Sequence, residues 1–360
     1  MGPGLSTPPF SHLLVASWNF PPAHRTRLAP YFANITHVPL GGTPTDAQLA
    51  EADVIFGLPR ATHVRSIHQV PKLRFIQLGS AGSDGLIGSP MWEEQESERE
   101  REKWVKLASC SGVHVGAIGQ YFVMTTLALF HRLQGQILIS QNEKRWGSDS
   151  EISGSWIFIE ELRHKTVGVL GYGHIGRESS RLASAFGARI LAANSSGTRQ
   201  PLGGYIIPGT GDPDGTIPEM WYSTSDRESL KAFLEQSDVL LLSLPSTPAT
   251  RRILNQETLG WLKSSAVLVN VGRGDAIDTD ALVQALDQGK LAGAALDVVE
   301  PEPLPAGHPL FGRKNVIITP HLSGRSVRYP ELALDVLITN LDKLVAGEKL
   351  VNEVDPRKGY

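Results

Sequence analysis

One cysteine, Cys110, stands among 360 residues. This excludes an internal disulfide framework and suits a reducing compartment. Cys110 itself reads as a small apolar filler. The chain also lacks any run of about 18 apolar residues, so no membrane-spanning helix is expected. It lacks a basic excess: 34 Lys and Arg face 37 Asp and Glu, for a formal net charge of −3. No surplus cation is available to neutralise phosphates, which argues against a nucleic-acid or membrane-surface partner. The opening MGPGLSTPPFSH has neither a basic segment nor a long apolar one after it, so no secretory signal is expected and the cytoplasm is the default location. There is no internal repeat. No metal site is expected, because His308 and His321 are not in tight ligand spacing and the cysteine is remote from both.

Glycine, by contrast, is plentiful, with 36 residues. Three glycines carry the most informative stretch, KTVGVLGYGHIG from Lys165 to Gly176. Thr166 to Leu170 reads as a short buried parallel strand. Gly171, Gly173 and Gly176 follow at once in G-x-G-x-x-G spacing, and Ser179 to Phe186 reads as a helix. Gly171 would permit the tight turn out of the strand. Gly173 would let backbone approach a pyrophosphate, and Gly176 would let the helix pack on the strand. A helix N-terminus offers free N–H groups and partial positive charge to phosphates. A second strand at Ala188 to Ala193 completes the context that makes the pattern specific, so this is read as a phosphate-binding Rossmann turn.

At 360 residues and 41% hydrophobic content, two domains with sizeable cores are the natural expectation. Before the glycine turn, Leu13–Ser17, Asp53–Gly57 and Leu73–Leu78 read as strands, with helical or loop material between them. The last runs into Gly79-Ser80-Ala81-Gly82-Ser83-Asp84, either an ordinary glycine turn or a place where backbone N–H groups hold a carboxylate. Met91–Val105 is charge-rich in both signs and reads as a solvated helix or surface insertion. His114–Gln136 reads as a long helix. Trp146, Trp156 and Phe158 read as interdomain packing. After the turn, Gly197–Ser225 is rich in Gly, Pro and Ser. It reads as loop, long for a compact domain, and is either an insertion near a cofactor's adenosine end or a mobile segment. A helix at Glu228–Glu235 follows, then strands at Asp238–Leu244, Ala266–Val271, Ala292–Val298 and Asn315–Thr319, with a helix at Asp280–Asp287. This alternation predicts a parallel, doubly wound sheet. Leu332, Val336, Leu337, Leu341 and Leu344 share one face of a tail helix that can pack back on the first domain.

Three chemically capable residues follow strand ends in this second half: Arg273 in NVGRGD, Glu302 in LDVVEPEPLP and His321 in ITPHLSG. Carboxyl ends of parallel strands converge on the ligand crevice. Hydride transfer to a 2-keto acid needs a guanidinium to hold the carboxylate and polarise the carbonyl, which Arg does in bidentate fashion. It needs an acid to protonate the oxygen, and His titrates near neutrality. A carboxylate beside that His would fix the ring and favour imidazolium. Each residue has a plain structural reading too: a surface cation, a solvated loop acid and a strand cap.

These residues, with LRFIQLGSAGSD, TVGVLGYGHIG, DVLLLSLPSTPATRRILN, LKSSAVLVNVGRGDAIDTDALVQALDQGKLAGAALDVVEPEPLP, NVIITPHLSG and NLDKLVAGEKLVNEVD, cover nearly the whole chain. In them the chain resembles the D-isomer-specific 2-hydroxyacid dehydrogenases, the group of glyoxylate/hydroxypyruvate reductases, D-lactate dehydrogenases and phosphoglycerate dehydrogenases. The resemblance implies an α/β architecture: a Rossmann cofactor domain with a doubly wound parallel sheet, at 134–324, and a flavodoxin-like substrate domain, discontinuous, at 1–133 plus 325–360. It implies that Arg273, Glu302 and His321 are the catalytic set and that Asp297 contacts the nicotinamide carboxamide. Ser80, Ala81 and Gly82, with Arg273 and His321, would bind substrate. Gly171, Gly173, His174, Ile175, Gly176, Asn194, Ser195, Ser196, Arg199, Leu244, Pro245, Thr250, Val271, Gly272, Arg273, Asp297 and His321 would line the cofactor site. The partner is then a small 2-keto or 2-hydroxy acid, the assembly a homodimer built largely from the cofactor domain, and the closing of the two domains excludes water.

Three departures from the family pattern stand out. Gln120 replaces a Glu that many members carry on the interdomain helix, which points to hinge tuning. The segments near 91–105 and 200–221 are longer than usual. Asn194 ends the second Rossmann strand where NAD users carry Asp for the ribose 2′-OH. An Asp there would repel a 2′-phosphate; Asn does not, and Ser195, Ser196, Thr198 and Arg199 add donors and a cation. NADP(H) is therefore the preferred cofactor, with NAD(H) possible if Asn194 only caps its turn. An alternative reading is a dinucleotide-sensing, corepressor-like binding protein with little turnover, in which the 200–221 segment is a partner surface. A formate or phosphite dehydrogenase is a lesser one.

Overall fold

The computed structural model describes residues 7–17, 20–39, 41–57, 64–83, 85–97 and 104–355. The chain divides into two units, each with its own sheet: Met1–Val113, Gly203–Ile207 and Val327–Tyr360 form the first, His114–Leu202 and Pro208–Ser326 the second. The division falls at 113/114, so the long helix Val115–Phe130 belongs to the second unit, whereas the sequence expectation drew it at 133/134. No helix among the described residues is long and apolar enough to cross a membrane.

The first unit holds β1 (Phe10–Ser17), β2 (Phe32–Pro39), β3 (Val54–Gly57), β4 (Phe75–Leu78) and β5 (Lys106–Ala108). All pair in parallel in the order β2-β1-β3-β4-β5, the flavodoxin-like order. VIFG and FIQL are wholly buried, as strands covered on both faces must be. The tail helix Tyr329–Ala346 lays Leu332, Val336, Leu337 and Leu341 into this unit's core. Buried Asn340 pins it: its Nδ2 donates to Gln77 Oε1 of β4 at 2.8 Å, and its Oδ1 accepts from Val351 N at 2.8 Å. Every polar end of that buried pair is satisfied, so the tail has one seat only. The block expected to be solvated is anchored: helix Pro90–Ser97 buries Met91 and Trp92. Asp84 and Glu98–Lys103, which belong to the turn and charge-block readings, lie outside the described residues.

The second unit holds β6 (Thr166–Leu170), β7 (Arg189–Asn194), β8 (Met220–Ser223), β9 (Val239–Leu242), β10 (Val267–Asn270), β11 (Gly293–Leu296) and β12 (Val316–Ile318). Their order, β12-β11-β10-β9-β6-β7-β8, is parallel throughout. Counted from β6 it is the 3-2-1-4-5-6 order of a doubly wound dinucleotide fold with one strand added. The order reverses between β6 and β9, so the crevice opens where those two strands end. Trp146 and Trp156 are 97% and 78% exposed, and Phe158 is half-buried.

Candidate active site

The switch point carries the glycine turn. Gly171 has φ +98°, and an added Cβ would sit 2.9 Å from Ser243 O at the end of β9. At Gly176 a Cβ would sit 2.5 Å from Gly171 O and 2.8 Å from Val169 Cγ1. Both glycines are demanded by the fold. Gly173 is different: its φ is an ordinary −85°, and a Cβ there meets no protein atom within 4 Å. It caps the dinucleotide helix His174–Ala185, whose first two residues are His174 and Ile175. The protein has no internal use for glycine at this spot. A pyrophosphate over the helix N-terminus does, so the residues fit a dinucleotide. The helix begins five residues earlier than the sequence reading placed it, because the turn glycines are followed directly by helical backbone.

At the end of β7, Asn194 closes its own turn. Its Nδ2 donates to Thr198 O at 2.8 Å, and its Oδ1 accepts from Gly197 N at 2.7 Å and Ser196 Oγ at 3.1 Å. Ser195 O accepts from Ser223 Oγ at 3.0 Å, and Arg199 Nε donates to Asp214 O. The following insertion is ordered by residues that sequence reasoning passed over. Buried Arg177, on the dinucleotide helix, donates to the carbonyls of Tyr172, Gln200 and Asp212. Tyr172 lies between the two turn glycines and donates from its hydroxyl to Asp212 Oδ2 at 2.8 Å. Burial would raise the Asp212 carboxyl, but the N–H groups of Ile217 and Thr216 and the Tyr172 hydroxyl outweigh it and hold it below the usual range. Desolvation lowers the Arg177 guanidinium, yet its carbonyl cage keeps its donors matched. The insertion is therefore a built part of the second unit at β7, apart from Gly203–Ile207, which joins the first unit.

The remaining strand ends bring further residues to this edge. Leu244 and Pro245 follow β9, and Thr250 Oγ1 fixes that loop by donating to Pro245 O at 2.6 Å. After β10, buried Asn270 shapes the turn of Val271, Gly272 and Arg273: its Oδ1 accepts from Gly272 N at 3.1 Å and its Nδ2 donates to Arg273 O at 3.0 Å. Gly272 packs so closely on Leu244 that a Cβ would meet its carbonyl oxygen at 2.7 Å. After β11 comes Asp297, buried, and after β12 comes His321, at φ +55°. His321 Nδ1 lies 2.7 Å from Glu302 Oε1. That contact leaves Nε2 as the ring nitrogen available for proton transfer, with half the side chain accessible. The Asp297 carboxylate accepts from Thr319 Oγ1 at 2.6 Å, from Leu322 N and Ser323 N at 3.0 Å each, and from Ser323 Oγ. Ser80, Ala81 and Gly82 belong to the first unit, just past β4; Ser80 O accepts from Cys110 N at 2.8 Å and Ser80 Oγ donates to Gly82 O at 2.7 Å.

A dinucleotide turn at the switch point, with an Arg and a Glu–His pair on the neighbouring strand ends, is the arrangement expected of a nicotinamide-dependent oxidoreductase of the doubly wound α/β class. Comparison with known proteins narrows the class. The family model described as "D-isomer specific 2-hydroxyacid dehydrogenase, NAD binding domain" matches residues 123–207 and 212–323. A glyoxylate reductase of Thermofilum pendens is 30% identical over 281 residues, covering 77% of this chain and 74% of its own. A glyoxylate reductase of Aeropyrum pernix is 32% identical over 259 residues, covering 71% and 68%. A D-isomer specific 2-hydroxyacid dehydrogenase from Xanthobacter autotrophicus Py2, solved with NADPH and MES, superposes with a TM-score of 0.71 at 25% identity, covering 98% of this chain and 99% of that one. The chain belongs to the D-isomer specific 2-hydroxyacid dehydrogenase family. It is an oxidoreductase that uses a nicotinamide cofactor, and its second unit is the Rossmann domain that binds it.

Proposed function

We propose that this protein reduces a small 2-keto acid of the glyoxylate or hydroxypyruvate type to the D-2-hydroxy acid with NADPH. The observation that carries the reading is the 2.7 Å contact of His321 Nδ1 with Glu302 on the edge where Arg273 also emerges. A nicotinamide held there would supply the hydride for the carbonyl carbon. His321 Nε2 gives its proton to the carbonyl oxygen while Glu302 keeps the ring oriented. Arg273 holds the substrate carboxylate. Gly171 to Gly176 would cradle the pyrophosphate. Leu244, Pro245, Thr250, Val271 and Gly272 line the nicotinamide side, and Asp297 shapes that wall.

NADP preference is supported by the neutral Asn194, which carries no charge to repel a 2′-phosphate, and by Ser195, Ser196 and Arg199 beside it; the capping of its own turn by the Asn194 carboxamide is the feature that favours NAD instead. The Xanthobacter relative bound to NADPH agrees with this. A homodimer is supported by the exposed Trp146 and Trp156, joined by exposed Ile157 and Ile159, an apolar surface that a second copy would cover. A cytoplasmic location is supported by the single, unpaired Cys110.

The test is oxidation of NADPH and NADH by the purified protein with glyoxylate, hydroxypyruvate, pyruvate and bulkier 2-keto acids. The reading expects turnover of a small acid with NADPH, and a loss of at least about 10²-fold in His321→Ala. Tight cofactor binding with no turnover of any acid would overturn it. Asn194→Asp should weaken NADPH and favour NADH; NADH binding as tight as NADPH in the parent, and no change in the variant, would overturn the NADP assignment.

A further inference from the structure

His114, Ile118 and Tyr121 recur at i, i+4 and i+7 and share one face at the start of the long helix. That face backs the loop from Thr319 to Gly324 that carries His321. His114 Nδ1 lies 3.3 Å from Gly324 O, and Gly324 is so close that a Cβ would stand 3.2 Å from His114 Nδ1 and 3.4 Å from Ile118 Cδ1. Buried Tyr121 places its hydroxyl 2.9 Å from Thr319 Oγ1. Proton counting sets the direction of this chain. Thr319 has one hydroxyl proton and gives it to the Asp297 carboxylate at 2.6 Å. Its oxygen must then accept from Tyr121, whose phenol burial pushes up to about 12, so it keeps its proton. Asp297 in turn grips Leu322 N, Ser323 N and Ser323 Oγ, while His321 N donates to Asp297 O at 2.9 Å. Residues on both sides of His321 are thus clamped, and His321 itself sits at φ +55°, a conformation uncommon for a residue that bears a side chain.

We propose that Tyr121 is a positioning residue for His321, acting through Thr319 and Asp297 to hold the loop in the shape that aims the imidazole. The inference rests on His321 being the proton donor, as proposed above. Tyr121→Phe removes one oxygen and no volume of consequence. In the full-length protein with NADPH and glyoxylate or hydroxypyruvate, it lowers kcat on the order of tenfold, since small misplacements of a reacting group are costly. The KM of the keto acid moves less than about twofold, because Tyr121 is buried behind the loop that carries His321. Thr319→Val gives the same loss, Thr319→Ser recovers most of it, and the Tyr121→Phe/Thr319→Val pair loses no more than either alone, as members of one chain must. Hydrogen exchange of the Leu322 and Ser323 amides in the ligand-free protein speeds up in Tyr121→Phe.

An unchanged kcat, a loss confined to KM, or two losses that multiply would overturn the proposal. So would unchanged exchange at Leu322 and Ser323. His321→Ala separates the two readings: if it leaves turnover intact, the proton-donor assignment fails, whereas turnover lost in His321→Ala and kept in Tyr121→Phe sinks only the positioning role. Should Tyr121→Phe not fold, the Thr319→Val and Thr319→Ser pair decides by the same measurements.

Discussion

Two glycines of one turn should respond oppositely to the same methyl group. Gly173→Ala adds a Cβ into open space at an ordinary φ of −85°. Its cost to the ligand-free fold is that of replacing glycine by alanine at a helix N-cap, under about 1 kcal/mol. The space the methyl enters is where a pyrophosphate would approach. Dinucleotide binding should therefore weaken by at least about tenfold, equivalent to about 1.4 kcal/mol. Gly176→Ala instead drives its Cβ to 2.5 Å from Gly171 O and 2.8 Å from Val169 Cγ1. One partner is backbone and the other a buried strand residue, so neither yields cheaply. Overpacking of this kind costs about 1–3 kcal/mol, which lowers the melting temperature by roughly 3–10 °C for a unit of this size. The assay is thermal melting of ligand-free protein beside fluorescence titration with NADPH and NADH. The expected pattern is an almost unchanged melt with poor binding for Gly173→Ala, and a lowered melt for Gly176→Ala. A Gly173→Ala protein that melts as low as Gly176→Ala, or binds dinucleotide like the parent, would refute the assignment of Gly173 to the ligand.

Other outcomes follow from the same geometry. Glu302→Gln keeps the size of the His321 partner but removes its charge, and kcat should fall by about 10–100-fold with the NADPH dissociation constant unchanged; equal loss in both would mean Glu302 supports the fold and not the ring. Cys110 is fully buried, and burial pushes its thiol up to about 12. A thiol reagent at pH 8 should find no reactive group in the folded protein and one in urea, whereas rapid labelling of the native state would contradict that burial. The double variant Trp146→Ser/Trp156→Ser should shift sedimentation from dimer to monomer while leaving the melting temperature of the subunit within a few degrees; a dimer that survives places the interface elsewhere.

The local chemistry of this chain was legible in its sequence because it is short-range. Thr166–Leu170 is apolar and followed by three spaced glycines, so a buried strand and a tight turn are forced by sterics and by period alone. Arg273, Glu302 and His321 are proposed for the site because each follows an expected strand and parallel strands share a carboxyl edge; the structure places His321 Nδ1 2.7 Å from Glu302 Oε1. Strands β2, β5 and β8 were missed for local reasons. FANITHVP lies at a sheet edge and buries only two of its eight residues, KLA is only three residues long, and MWYS is hidden in a Gly- and Pro-rich neighbourhood. Solvent exposure was equally hidden. Tryptophan is apolar wherever it lies, so composition could not tell that Trp146 and Trp156 face outward while Trp92, inside a run of charges, is buried.

Tertiary structure alone decided which polar groups meet. Arg177 reaches Gln200 O and Asp212 O across 23 and 35 residues, and Tyr121 reaches Thr319 across 198. Asn194 could equally have faced a ribose or its own turn, and the turn at Thr198 holds it. Strand and helix periods repeat every two or 3.6 residues and are written along the chain. Hydrogen bonds between side chains far apart depend on which elements the sheet order brings side by side, and that order is settled only when two hydrophobic cores close.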